Sequence, residues 1–273
     1  MDAIITLVGS GIVSILIAYL TAYYKTKSEL EKERAKLHLD IVMRQKHDYF
    51  LPFQYCADEF RRRLVHIDAV FEHQDFDNDK YENMVKRLKQ DFNSRRPEWF
   101  FNDDIGPEGG YFITATMYLN CTLFYWMKRI QAEHPFIPLD LDVKPMKVME
   151  MYQRYAKEEK ILTSLDHKDC DVYDFIKNIK IAISREKGIP YGLHDSLGDF
   201  LFDHANKRLM NYEEFCDQLR DDKKRVKFLP VIKFWTGLVC DDNKVDQARL
   251  RKIKILLVIL ELLNRAKIRE SLK

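Results

Sequence analysis

Glycine and proline are scarce, nine and eight in 273 residues. An all-β architecture with many tight turns needs more of both, so the scarcity argues against one. Paired cysteine spacing is missing too. Cys56, Cys121, Cys170, Cys216 and Cys240 stand singly and are odd in number, which fits reduced thiols in a cytosolic compartment rather than a disulfide framework. Charge of one sign is also lacking. Lys plus Arg number 45 against 43 Asp plus Glu, leaving a formal +2 and no global attraction to nucleic acid. No basic stripe, stacking motif or known nucleic-acid reader signature offsets that balance, so no nucleic-acid partner is expected. Internal repeats and low-complexity linkers are absent. What is present, 46% hydrophobic and 32% charged residues, fits a folded chain.

Ionic side chains are missing altogether from residues 3–24, AIITLVGSGIVSILIAYLTAYY. As a helix this segment would be roughly 33 Å long, about the thickness of a bilayer's hydrocarbon core. Tyr19, Tyr23 and Tyr24 near its end suit the headgroup layer, and Lys25 and Lys27 follow at once. A cleaved secretory signal would have a basic start, a shorter apolar core and a small-residue cleavage site. Here only Asp2 precedes the run and its end is aromatic, so an uncleaved signal-anchor is expected. No Lys or Arg precedes the run, whereas Lys25, Lys27, Lys32, Arg34, Lys36, Arg44 and Lys46 follow it. The positive-inside rule then places the N-terminus outside and the C-terminal domain in the cytoplasm, at the plasma (inner) membrane.

Within the run, Ser10, Ser14, Ala18 and Ala22 recur every fourth position. That spacing makes a shallow groove through which two spans could pack as a homo-oligomer, although such stripes are frequent by chance. The following stretch, rich in Glu, Lys, Leu and Arg, predicts a helical stalk to near Phe50. Leu30, Leu37 and Ile41 take heptad-like steps, but Arg34 and Arg44 intervene, so a solvated stalk is preferred to a coiled coil.

Beyond Pro52, the residues Phe53, Ala57, Phe60, Leu64, Ile67 and Phe71 form an apolar helical stripe. Arg61, Arg62 and Arg63 fan round that helix instead of forming one phosphate claw, and are expected to pair with acids. Asp75, Asp77 and Asp79 lack the Gly and chelating Glu of a calcium loop, holding Lys80 and Lys86 there instead. A helix over 81–92 and a loop over 95–110 carrying Trp99, Phe100 and Phe101 should follow. Residues 109–127 again lack charge, but Thr114, Thr116, Asn120 and Thr122 favour a helix buried in the domain over a second span. Asn120 should then be hydrogen-bonded. Val148, Met151, Tyr152 and Tyr155 mark another helix. In DHKDCD, His167, Asp169, Cys170 and Asp171 could ligate a metal, but helix capping ahead of Val172 explains the acids better.

The most suggestive polar segment is GIPYGLHDSLGDFLFDHANKR, expected to be a loop and then a helix running through His204. Its His194-Asp195 pair resembles HD-type metal phosphohydrolases in that dipeptide alone. Those enzymes also need an upstream His and a downstream Asp from other helices, for which His167 and Asp217 are candidates only in that they exist. Asp199 and Asp203 would share a helix face, with His204 beside them. His194, Asp195, Asp199, Asp203 and His204 are thus the candidate catalytic residues, through a divalent cation or acid–base work. Most such faces are only solvated, so neither metal nor cofactor is expected. Tyr212, Phe215, Cys216 and Leu219 mark a further helix. A last one, capped by Asp241, Asp242 and Asn243, should be apolar over most of its circumference between 253 and 263.

The expected architecture is all-α: a transmembrane anchor at 1–24, a helical stalk at 25–50 and an all-α cytoplasmic domain at 51–273. In layout it resembles the many bacterial proteins that hang a helical domain from an N-terminal span. The function expected is non-enzymatic: a membrane-anchored scaffold, sensor or effector recruiting a protein partner, with bacterial stress or phage defence as a narrower setting. The alternative is a membrane-tethered metal-dependent hydrolase built on the His194 cluster.

Overall fold

The computed structural model describes residues 2–72, 109–133, 139–141, 170–184, 186–238 and 246–268, with side-chain surroundings at 18–68, 113–133, 139, 170–184, 186–238 and 246–267. The expected helices at 81–92 and around Val148–Tyr155, the loop carrying Trp99, Phe100 and Phe101, and Asp75, Asp77, Asp79, His167 and Asp169 lie outside those residues. Two compact units divide the chain, Met1–Lys46 and His47–Lys273.

The first unit is one helix, α1 (Asp2–Gln45). Tyr19, Tyr23, Tyr24, Leu30, Leu37 and Ile41 are exposed along it. Ala18 and Ala22 are exposed too, whereas the side chains of Ser10 and Ser14 lie outside the described set. Among the residues whose side chains are described, no helix is long and apolar enough to cross a membrane. Most of the expected anchor falls before those residues.

The second unit is predominantly helical. Lys46–Phe50 forms a π-helical turn, followed by α2 (Leu51–Glu72). Pro52 has no N–H to donate and its ring would crowd the carbonyl four residues back; a wider turn just before it relieves both problems. The apolar stripe of α2 is buried from Phe53 to Ile67, with Phe53, Ala57, Phe60 and Leu64 fully inaccessible. Helix α3 (Gly109–Glu133) packs against α2, so residues 113–127 lie inside the unit as expected of a buried helix. Asn120 has its partner there: Trp235 Nε1 donates to its Oδ1 at 3.2 Å.

The other helices among the described residues are α4 (Val172–Ser184), α5 (His194–Asp199), α6 (Tyr212–Arg220), α7 (Asp222–Arg225), α8 (Leu229–Thr236) and α9 (Gln247–Arg265). Helix α3 also packs on α5, α6 and α8, while α9 packs on α2 and α4. Among the described residues there are also two short antiparallel ladders, which the all-α expectation did not include. Strand β1 (Leu139–Leu141) pairs with β4 (Ala266–Ile268), and β2 (Phe202–Asp203) pairs with β3 (Arg208–Leu209).

Side-chain caps explain the starts of four helices, α4, α6, α7 and α9. Asp171 Oδ1 accepts from the amide of Asp174, whose Oδ2 accepts from the amide of Asp171, closing a reciprocal cap on α4. Of the acids before Val172, Asp171 therefore serves as a cap. Asn211 and Glu214 form the same device on α6. The last helix starts later than its expected boundary at Lys244. Asp246 is its N-cap, accepting from the amides of Ala248 and Arg249 at 3.1 and 3.2 Å. Arg61 pairs with Asp58 and Glu261, and Arg62 with Asp58, so these arginines are tied to acids.

Candidate functional site

The candidate cluster is assembled around one close helix contact. Gly198 of α5 lies so near α3 that a Cβ there would stand 2.5 Å from the backbone nitrogen of Tyr125. The absence of a side chain lets α5 press onto α3 and stack the His194 ring on Phe124, with centroids 4.4 Å apart and planes 7° apart. His194 is fully buried, and Ile189 O lies 3.0 Å from its Nε2. With a proton on Nε2 donated to that carbonyl, Nδ1 carries a lone pair. Nδ1 has no hydrogen-bond partner among the described residues.

Burial pushes the His194 pKa down from its ordinary 6.5 to about 4, and the nearby Lys180 charge adds to the lowering. The ring is therefore neutral at neutral pH. Because protonation is easier in the unfolded chain, the neutral ring's contribution is complete above about pH 6.5 and is lost as pH falls through about 4. The loss should reach about 3 kcal/mol, at 1.4 kcal/mol per pH unit of displacement. Urea unfolding of the wild type and of His194→Phe across this window tests it. The difference between the two proteins should narrow in favour of the variant as pH falls; parallel curves would contradict the assignment.

Beside the histidine, Lys180 occupies the buried face of α4 with its side chain only 3% exposed. Its ammonium donates to Asp195 Oδ1 at 2.6 Å and to Gln131 Oε1 at 2.7 Å, and stands 5.6 Å from the centre of the Tyr191 ring. One cation thus joins α3, α4 and the start of α5. Asp195→Ala removes its only carboxylate among these partners. A cost of about 2 kcal/mol is expected, below the range for wholly buried pairs because Asp195 is half exposed. Denaturant melts should show that adding Lys180→Met recovers part of it, since the stranded charge goes with the lysine.

The other candidates do not join this group. Asp199 is ion-paired with Lys128. The helix expected to run through His204 ends at Asp199, so Asp199 and Asp203 share no helix face. Asp203 instead closes the β2–β3 hairpin, accepting from the amides of Ala205 and Asn206 and from the Asn206 side chain at 2.9, 3.1 and 2.7 Å. Its short side chain offers the backbone an alternative to helix, and Lys207, at φ 53°, completes the turn. The Asn206 bonds hold the Asp203 carboxyl below the usual range. His204 sets its ring edge against Phe202 at 5.0 Å. Each carboxylate is already engaged by a cation or by amides. Among the described residues, no three His, Cys, Asp or Glu side chains stand close enough to hold a metal ion.

Among the described cysteines, thiol chemistry finds no better footing. Cys56, Cys121 and Cys170 are buried and free, and Cys216 is half-buried and free. Burial raises the pKa of all four, that of Cys170 to about 12, so none is a ready thiolate at neutral pH. A cavity of about 480 Å³ opens between α4 and α9, reaching Ala182, Glu186, Gln247, Arg251, Lys252 and Ile255. Its size suits a small molecule, but its acid and its two cations converge on no single chemistry.

Sequence reasoning missed Lys180 and Gln131. A signal for the lysine existed: position 180 falls one turn after Ile176 and three before Ile183, on the stripe that should be apolar. Gln131 carried none, because its role depends on how α3 meets α4. No protein-family model, no curated protein and no solved structure matches this chain.

Proposed function

We propose that this chain is a single-pass membrane-anchored helical protein, N-terminus outside and residues 51–273 in the cytoplasm. In this reading it is a scaffold, sensor or effector that recruits a protein partner at the cytoplasmic face of the membrane. The observation that carries the reading is the charge-free run at 3–24 lying within a single 44-residue helix, α1. A hydrocarbon-length helix satisfies its own backbone groups, as a segment in lipid must. The basic residues from Lys25 to Lys46 favour retention on the cytoplasmic side. Tethering raises the chance of meeting other anchored proteins without any new contact. A narrower form of the proposal is a bacterial stress or phage-defence effector that acts by clustering its spans.

Affinity capture from gently solubilised native membranes tests the recruiting role. The full chain should recover a reproducible stoichiometric partner, and a chain lacking residues 3–24 should recover much less of it; no reproducible partner for either chain contradicts the proposal. The clustering form has its own test. Ser14→Ile with Ala18→Ile should abolish cross-linked oligomers of the full chain in bicelles, because branched side chains fill the groove. Survival of the oligomers would show that this face is not their interface.

A further inference from the structure

The run formed by α7, a 3-10 turn at Val226–Phe228 and α8 presents two contrasting faces. Phe228, Val231, Ile232, Phe234 and Trp235 are buried. On the outside stand Lys223, Val226, Lys227 and Lys233, all exposed, with Val226 at 59%. The acids at the start of the run are occupied: Asp221 lies 3.7 Å from Lys224, and Asp222 lies 2.6 Å from Arg225. Lys223, Lys227 and Lys233 form no ion pair among the described residues, and Lys227 only overhangs the Phe200 ring at 5.4 Å. The exposed side of this run therefore carries three lysines without an ion pair and an accessible branched side chain. It is local, and the balanced charge of the whole chain hides it.

We infer that this face docks on an anionic phospholipid surface. The inference rests on the membrane-anchored reading, which keeps such a surface at high effective concentration. Lysines on flexible stems suit a dense array of headgroup charges, which requires no fixed bidentate geometry. Val226 can enter the boundary between headgroups and acyl chains, as apolar residues of interfacial helices do. The attraction should be screened within a Debye length and so fall away in high salt.

The full chain can be tested in phosphatidylcholine vesicles with and without about one third phosphatidylserine, chosen to supply a strongly negative surface. Flotation reports the anchor, and acetylation of individual lysines, read by mass spectrometry, reports the face. The expected result is flotation with both compositions, with Lys223, Lys227 and Lys233 protected only on the anionic vesicles and exposed again in high salt. Lys223→Gln, Lys227→Gln and Lys233→Gln, combined, should leave flotation and the circular dichroism spectrum unchanged. In an anchor-less chain the same changes should weaken anionic-vesicle binding by roughly fivefold per lysine.

Flotation with both compositions and no protection would overturn the docking face and leave the anchor standing. Flotation on anionic vesicles alone, abolished by salt, would support the face and overturn the anchor. Failure to float on either overturns both. Protection by added RNA but not by anionic lipid would overturn the lipid assignment in favour of a nucleic-acid surface.

Discussion

A chain ending at Asp242 is expected to fail to fold. It lacks α9, whose buried side chains, Lys252 apart, are nine aliphatic ones: Leu250, Ile253, Ile255, Leu256, Val258, Ile259, Leu260, Leu262 and Leu263. At roughly 1.5–3 kcal/mol for each buried aliphatic side chain, their upper-limit contribution exceeds the roughly 5–15 kcal/mol that holds a domain together. The loss also strips cover from α2 and α4 and removes β4, the partner of β1. Gln54 would lose its role as well, since its Nε2 donates to the carbonyls of Leu263, Asn264 and Ala266 at 3.0, 3.2 and 3.1 Å, closing the C-terminal end of α9. Circular dichroism and size-exclusion chromatography of the truncated chain decide the matter. Aggregated or unfolded material is expected, and a monodisperse helical fragment would contradict the packing described.

Trp235→Ala should have the next largest effect, about 4 kcal/mol, within the 3–5 kcal/mol range for truncating a buried aromatic. Trp235 is 2% exposed and meets Phe60 and Phe234 edge-on, with centroids 5.9 and 5.0 Å away. It also serves Asn120, which is fully buried and whose Nδ2 has no partner among the described residues. Losing the indole N–H leaves that amide unsatisfied on both sides, at about 1–3 kcal/mol. Trp235→Phe separates the contributions: it keeps most of the packing, removes the donor and should cost about 2 kcal/mol. Adding Asn120→Leu to Trp235→Phe should then recover stability in urea melts. Equal stabilities of the wild type and Trp235→Phe would show that the hydrogen bond contributes nothing.

How much of this was legible in the sequence depended on whether the information was local. The stripes of α2 and α9, and the uncharged stretch 109–127 of α3 with its buried Asn120, follow from periodicity and from the cost of burying polar groups. The capping role of Asp171 was legible for the same local reason. Features made by two distant segments were not legible. Nothing near Gln54 says that it closes a helix more than two hundred residues away. Nothing near Gly198 says that its missing side chain admits the backbone of α3. The β2–β3 hairpin defeated the helical reading because Asp203 bonds its own downstream amides, and helix periodicity carries no trace of that competition. In the candidate site, His194 and Asp195 do lie together, but Lys180, which came from outside the pattern, holds the pair as a structural clamp. Asp199, Asp203 and His204 turn to separate tasks.

Membrane attachment is the central claim, and alkaline carbonate extraction of native membranes holding the intact chain tests it most directly. The chain should stay in the pellet through carbonate and high salt and leave it only with detergent. Deletion of residues 3–24 should move it to the supernatant. Intact protein in the high-speed supernatant without detergent would contradict the anchor, and the tethered function with it.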